Sequence, residues 1–424
     1  MTTDTEPRGR RRTEVWRWWL ALAVTAVVSG VVGGAMALLL DALEEVFFDF
    51  HGIGFAAGYA RAGRWRQVLV PSLGAAVAGA GWWWVRRRRV TAIEAMAEPT
   101  FSPGAAVRVT VDALLQILVV GAGASIGREG APRQTAAAFS ALTTRRLGLD
   151  DHHRRVLVAA AAGAGLAAVY TSPVGGAMFA LEIVLSRTRR RPGDVVSALV
   201  VSGLAVLTAR PFTHDALTYH WPGAHVGPAA LPWFLLVVPM CLVCGVAFER
   251  LITVMRRGRA GDGPGLVGWL ALAGLAFGVV ASLLPQLPGN GKVLMGYALS
   301  GAGGAGVMVA LALAKALTTG MYLRAGATGG LLTPSLSTGA SLGAALGIGV
   351  QAAGLGTSGA AWVVVTAAGF LAVTQRAPLF AAFFTYELVA PPLAYLPVLL
   401  VVALLCHGLA TNRRVERLRV IRSS

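Results

Sequence analysis

Four apolar stretches, residues 18–40, 231–251, 265–284 and 393–409, are each long enough to cross a bilayer as a helix. Two more, 68–85 and 106–122, are marginal, and the second carries Arg108 and Asp112. Between them the chain stays apolar but is broken by glycine and proline at 121–130, 161–176, 301–306 and 326–347. Irregular backbone survives at membrane depth only where it is buried in protein or lines a water-filled cavity. The breaks therefore suggest half-helices and re-entrant segments, or close helix packing through small residues, and both readings can hold at once. Composition points the same way. Only 13 per cent of the 424 residues are charged, and 55 per cent hydrophobic plus the 53 glycines makes roughly 68 per cent apolar, against about 45–50 per cent in soluble chains. A soluble domain has too much surface to cover with so few charges. The expected class is an all-α integral membrane protein.

A net charge of +17 invites a nucleic-acid reading, but the placement of the charge argues against one. The arginine clusters at 8–12, 86–89, 187–191, 256–259 and 413–422 flank or separate apolar runs, as cytoplasmic loops do under the positive-inside rule. Basic tails at 1–16 and 411–424 put both termini in the cytoplasm, around a single transmembrane domain at 17–410 in the cell membrane. The run at 18–40 is too long for a signal peptide, and no large polar segment could form a separate soluble domain. Cys241 and Cys244 form a lone CxxC inside an apolar stretch and read as buried small hydrophobes.

The chain repeats itself. Pro173 is followed six residues later by Phe179 and nine later by Glu182; Pro378 is followed at the same intervals by Phe384 and Glu387. An Ala–Val pair precedes each proline, at Ala168 and Val169 and at Ala372 and Val373. Each unit opens on a glycine-rich break, Gly127-Arg128-Glu129-Gly130 in the first and Gly329-Gly330-Leu331-Leu332-Thr333-Pro334 in the second. Matched interruptions in two halves, about 17–212 and 231–410, are the pattern of an internally duplicated transporter with its site at the repeat interface.

Glu129 is the most informative residue. It stands between apolar stretches, where a carboxylate costs about 2.5–3.5 kcal/mol on insertion scales unless hydrated, paired or protonated. An ion pair with Arg128 is one reading. The other takes the glycines as letting backbone amides approach an anion at a helix N-terminus, with the glutamate able to swing in and compete.

GREGAP at 127–132 resembles the GREGP signature of the CLC family of chloride channels and proton/chloride exchangers, and GGLLTP at 329–334 resembles that family's second anion loop. TSPVGGAMFALE at 171–182 and APLFAAFFTYE at 377–387 are similar to two further family helices. The resemblance covers nearly the whole chain. It implies a CLC-like antiparallel (inverted) internal repeat with broken helices, of the prokaryotic type without cytoplasmic CBS domains. It also implies a homodimer whose subunits each hold an anion pathway. Position by position, Glu129 becomes the gating glutamate, and Gly127, Arg128, Gly130, Gly330, Leu331 and Leu332 the anion-binding set.

Three departures stand beside the resemblance. The family's GSGIP motif is absent, and alignment through Ile93 and Glu94 puts Arg88 at its serine. Arg88 is then either a cation at the inner mouth or part of a cytoplasmic flank. The family tyrosine falls near Leu418, and Ile183 stands where exchangers commonly carry a proton-relaying glutamate. Glu182 beside it reads as structural.

The remaining polar residues read more simply: Arg108 and Asp112 as a structural helix pair, Lys315 as an anion attractor or a snorkelling side chain, His152 and His153 as surface residues, and Trp82–Trp84 as an interfacial belt. An intramembrane enzyme would need a nucleophile–base pair or metal cluster, and no such spacing occurs. The expected function is passive or loosely proton-coupled transport of chloride or a similar small anion. A stoichiometric proton/chloride antiporter and a fluoride-selective variant are the alternatives. No enzymatic activity, cofactor, metal or nucleic-acid partner is expected; the bilayer and the anion are, with protons added under the coupled readings.

Overall fold

Apolar runs that cannot leave backbone groups unpaired in lipid must form helices, and proline and glycine decide where each one stops. The computed structural model describes residues 8–52, 54–186, 190–213, 218–223, 228–354 and 358–412. In chain order the helices are α1 (Arg8–Phe48), α2 (Phe55–Arg61), α3 (Arg64–Val85), α4 (Ile93–Met96), α5 (Pro103–Gly121) and α6 (Gly130–Arg146). They continue with α7 (Asp151–Tyr170), α8 (Pro173–Met178, extended by a π-helical turn over Phe179–Val184), α9 (Pro192–Thr213) and α10 (Val237–Arg257). The last are α11 (Gly265–Leu283), α12 (Lys292–Leu299), α13 (Ala305–Arg324), α14 (Leu332–Ala352), α15 (Gly359–Gln375), α16 (Pro378–Val389) and α17 (Tyr395–Ala410).

Among the described residues seven helices are long and apolar enough to cross a membrane: Val15–Phe48, Arg64–Val85, Pro103–Gly121, Pro192–Thr213, Pro232–Arg257, Gly265–Leu283 and Ala305–Arg324. Both marginal stretches thus form helices long and apolar enough to span, and two further such helices, α9 and α13, were not read from the sequence. The stretch at 393–409 forms α17, one of the shorter apolar helices. Parts of the basic tails, residues 187–189 of the third arginine cluster and Leu418 lie outside the described residues.

From α3 onward the two halves run in the same order, α3–α9 matching α11–α17. The match reaches single residues. Thr171 and Arg376 both adopt left-handed backbone, φ 51° and 55°, and each ends a helix two residues before the proline that starts the next. At the centre α7 and α15 are buried along nearly their whole length, because alanine and glycine let neighbours come close. Around them α3 packs on α11, while Leu73, Leu283 and Leu393 point outward, 63, 77 and 70 per cent exposed, as lipid-facing side chains do.

The repeated glutamates explain the repeated motif. Glu387 accepts hydrogen bonds from the Ser172 hydroxyl (2.6 Å) and from the N–H groups of Val174 (3.0 Å) and Gly175 (2.7 Å) at the start of α8. Glu182 accepts from the N–H of Phe380 (2.8 Å) at the start of α16. Each half therefore supplies the carboxylate that satisfies the orphan amides of the other half's broken helix.

Candidate functional site

The two glycine breaks meet. The N–H of Gly127 donates to the carbonyl of Gly330 (2.9 Å) and the N–H of Gly330 to that of Gly127 (2.8 Å), a two-bond antiparallel bridge between the halves. Beyond the bridge each chain turns into a helix: Glu129 is the residue before α6, and Leu331 the residue before α14. Both helices thus begin at the same place, with their positive ends near one another.

Glu129 is fully buried between them. Its Oε1 accepts from the Tyr170 hydroxyl (3.2 Å), from the Thr333 N–H (3.3 Å) and from the Thr333 hydroxyl. Its Oε2 is buried and has no hydrogen-bond partner among the described residues. A Cβ placed on Gly127 or on Gly330 would collide with that oxygen. The glycines are there because the carboxylate lies against the backbone of both loops. Among the described residues, no backbone carbonyl accepts from the N–H groups of Leu331 or Leu332 at the start of α14. A single negative oxygen can settle here on amide and hydroxyl donors, and among the described residues no cation pairs with it.

The surroundings hold that geometry. Asn290 donates to the Tyr170 hydroxyl (2.9 Å), and the Tyr170 ring sits edge-on to Phe384. Arg133 donates from Nε to the main-chain carbonyl of Glu129 (2.7 Å). Arg128 turns away from the carboxylate and lies over the Tyr170 ring, 5.5 Å from its centroid. An ion pair between Arg128 and Glu129 is not formed among the described residues. Arg128 instead lines a cavity of about 840 Å³ with Asp41, Glu44, Tyr219, Asn290 and Lys292, at the face where α1 ends. A second cavity, of about 630 Å³, is lined by Glu94, Glu98, Arg155 and Ile183. It lies toward the opposite face, where His153 packs against Trp18 near the start of α1.

The structure places the other polar residues singled out in the sequence. Arg88 is exposed, and the member of the tetra-arginine that enters the protein is Arg86. Trp82 is buried beneath Arg86 rather than in an interfacial belt, while Trp84 is 64 per cent exposed. Asp112 accepts from Gln116 (2.8 Å) and Gln134 (2.9 Å), and no ion pair joins it to Arg108 among the described residues. Lys315 neither snorkels nor meets an open cavity. It is fully buried and donates to the carbonyls of Leu287 (3.0 Å) and Gly289 (2.7 Å), the loop that carries Asn290. His152 and His153 pair with Asp194 and Asp150. Tyr170, Thr333 and Asn290 were not read from the sequence as site residues. Thr333 lies within the second glycine-rich segment, 329–334, and was open to suspicion there; Tyr170 and Asn290 carry no local signal.

Two inverted halves, broken helices starting at one point, and a carboxylate held on amide and hydroxyl donors define a membrane anion-transport fold. The profile of the voltage gated chloride channel family matches residues 74–411, and the chain belongs to that family. It is 28 per cent identical over 395 residues to a putative chloride channel protein ClcB-like of Ralstonia nicotianae, covering 88 per cent of this chain and 90 per cent of the relative. It is 32 per cent identical over 299 residues to a voltage-gated ClC-type chloride channel ClcB of Citrobacter koseri, covering 66 and 68 per cent. In structure it is similar to a slow cyanobacterial Cl−/H+ antiporter, with TM-score 0.80 and 20 per cent identity over 96 per cent of this chain and 99 per cent of the other. A CLC-type fluoride/proton antiporter follows at TM-score 0.73 and 18 per cent identity, covering 92 and 95 per cent.

Proposed function

We propose that this chain moves chloride or a similar small anion across the cell membrane, passively or with loose proton coupling, through a pathway that Glu129 gates. The observation that carries the reading is the Glu129 carboxylate itself, buried against Gly127 and Gly330 with Oε1 on Tyr170 and Thr333. An oxygen of that charge competes for the donors a halide would use. Protonation removes the charge, weakens its hold on those donors and lets the side chain leave, so an anion can take its place. The amides of Gly130, Leu331 and Leu332 are the proposed anion contacts, with Arg128 raising anion concentration in the adjoining cavity. Gly127 and Gly330 serve by hydrogen-bonding to each other and leaving room.

Coupling to protons has a specific support. Ile183 cannot titrate, yet two carboxylates, Glu94 and Glu98, line the same cavity. The antiporters among the structural relatives favour this second reading, a stoichiometric proton/anion exchanger. The positive-inside rule supports both termini in the cytoplasm, and the family resemblance supports a homodimer. The two repeats would run from about 17 to 212 and from 231 to 410, between basic tails at 1–16 and 411–424.

The test is anion efflux from proteoliposomes with chloride and internal pH recorded together. Chloride efflux without proton movement supports the passive reading. Proton uptake in fixed ratio to chloride, abolished by Glu129→Gln while chloride still moves, supports the exchanger. No anion flux from well-folded protein would refute both.

A further inference from the structure

The bridge between Gly127 and Gly330 lets the two loops be compared position by position. Four residues before it stand Gly123 and Gly326, with matching φ of 93° and 101°; two before it stand Ser125 and Thr328. These paired positions are held by different means. On the first loop the carbonyl of Gly123 accepts from the N–H of Gly289 (2.9 Å), and the Ser125 hydroxyl accepts from that of Thr318 (2.9 Å). Both partners are neutral. On the second loop one guanidinium does both jobs: Arg86 donates from Nη1 to the carbonyl of Gly326 (2.9 Å) and from Nη2 to the hydroxyl of Thr328.

Arg86 is built for this contact. It follows α3 directly, its guanidinium carbon lies 5.0 Å from the centroid of the buried Trp82 ring, and its side chain is 9 per cent exposed. Asp262 accepts from Nη1 at 3.0 Å and is shared with Arg259 at 2.6 Å. Arg87, Arg88 and Arg89 are exposed, so the bland role of a basic membrane flank describes them and not Arg86. Two acceptors two residues apart, met by two nitrogens of a planar fork, require a guanidinium; an ammonium is a point donor on a flexible stem.

We propose that Arg86 is the positioning residue of the second anion loop: by clamping Gly326 and Thr328 it sets where the amides of Leu331 and Leu332 stand opposite Glu129. This rests on the reading of that loop as an anion site. The charge matters less than the fork, since Asp262 already partners it.

Calorimetric titration of chloride into the purified full-length protein in chloride-free detergent tests the idea, with thermal unfolding run on each variant. Arg86→Gln and Arg86→Lys are both expected to weaken chloride about tenfold while still unfolding cooperatively, each having lost a charge-assisted bond. Arg87→Gln is the control, expected within about twofold of the wild type because Arg87 is exposed. Thr328→Val, which removes one acceptor and leaves Arg86 intact, is expected to weaken chloride about threefold and decides the matter if the Arg86 variants do not fold. Wild-type affinity in Arg86→Lys, or lowered unfolding temperature with unchanged affinity in Arg86→Gln, would overturn the clamp. No chloride binding by folded wild-type protein would overturn the anion-site reading beneath it, a distinct result.

Discussion

Replacing Tyr170 by phenylalanine deletes one oxygen beside Glu129, the proposed gate, and leaves the ring on Phe384. That oxygen donates to Glu129 Oε1 at 3.2 Å and accepts from Asn290 at 2.9 Å. A hydrogen bond to a charged acceptor contributes about 1.5–3 kcal/mol, and 3.2 Å is long for a hydroxyl donor, so the low end applies. About 1.5 kcal/mol lost from the arrangement with the carboxylate buried changes the ratio of occupied to vacated gate by roughly tenfold. The Asn290 amide loses its acceptor whether or not the gate is occupied, so that cost affects overall stability more than gating. In proteoliposomes at matched protein density, Tyr170→Phe should therefore raise chloride efflux several-fold, and the acceleration should vanish in a Glu129→Ala background. Efflux unchanged or slowed with a normal unfolding temperature would refute the view that Tyr170 holds the gate. So would an equal effect with and without Glu129.

Three further substitutions test the close approach and the reciprocal caps. Gly330→Ala puts a methyl where Glu129 Oε2 lies, so the carboxylate cannot settle; chloride efflux should come within about twofold of that of Glu129→Ala, measured by the same efflux assay. Glu387→Gln removes the charge that three donors converge on and should cost about 2 kcal/mol, lowering the unfolding temperature. Glu182→Gln, with one such bond resolved at 2.8 Å, should cost less, and the order of the two unfolding temperatures checks the assignment.

Hydropathy and punctuation determined the class of this protein from its sequence alone. Continuous apolar runs of this length with basic flanks specify a helical membrane protein, because lipid offers no partner for unpaired backbone and a barrel strand would be shorter and alternate. The repeat was equally legible, since Pro173 with Glu182 and Pro378 with Glu387 recur at one spacing, and that spacing is what lets each carboxylate reach the other half's helix start. Glu129 stood out for the same local reason, a charge among glycines at membrane depth.

Contacts between distant segments were decided only by the tertiary structure. Tyr170 and Thr333 reach Glu129, and Asn290 reaches Tyr170, from three helices or loops spread across both halves, and hydrogen bonds of that kind leave no periodicity in the chain. Among four consecutive arginines, nothing local distinguishes Arg86 from Arg88; the turn after α3 does, by aiming one inward at Gly326 and leaving the other in solvent. Lys315 shows the limit most plainly. A buried lysine is affordable only where carbonyls are waiting for it, and the carbonyls of Leu287 and Gly289 are supplied by a loop that α13 meets only in the folded protein.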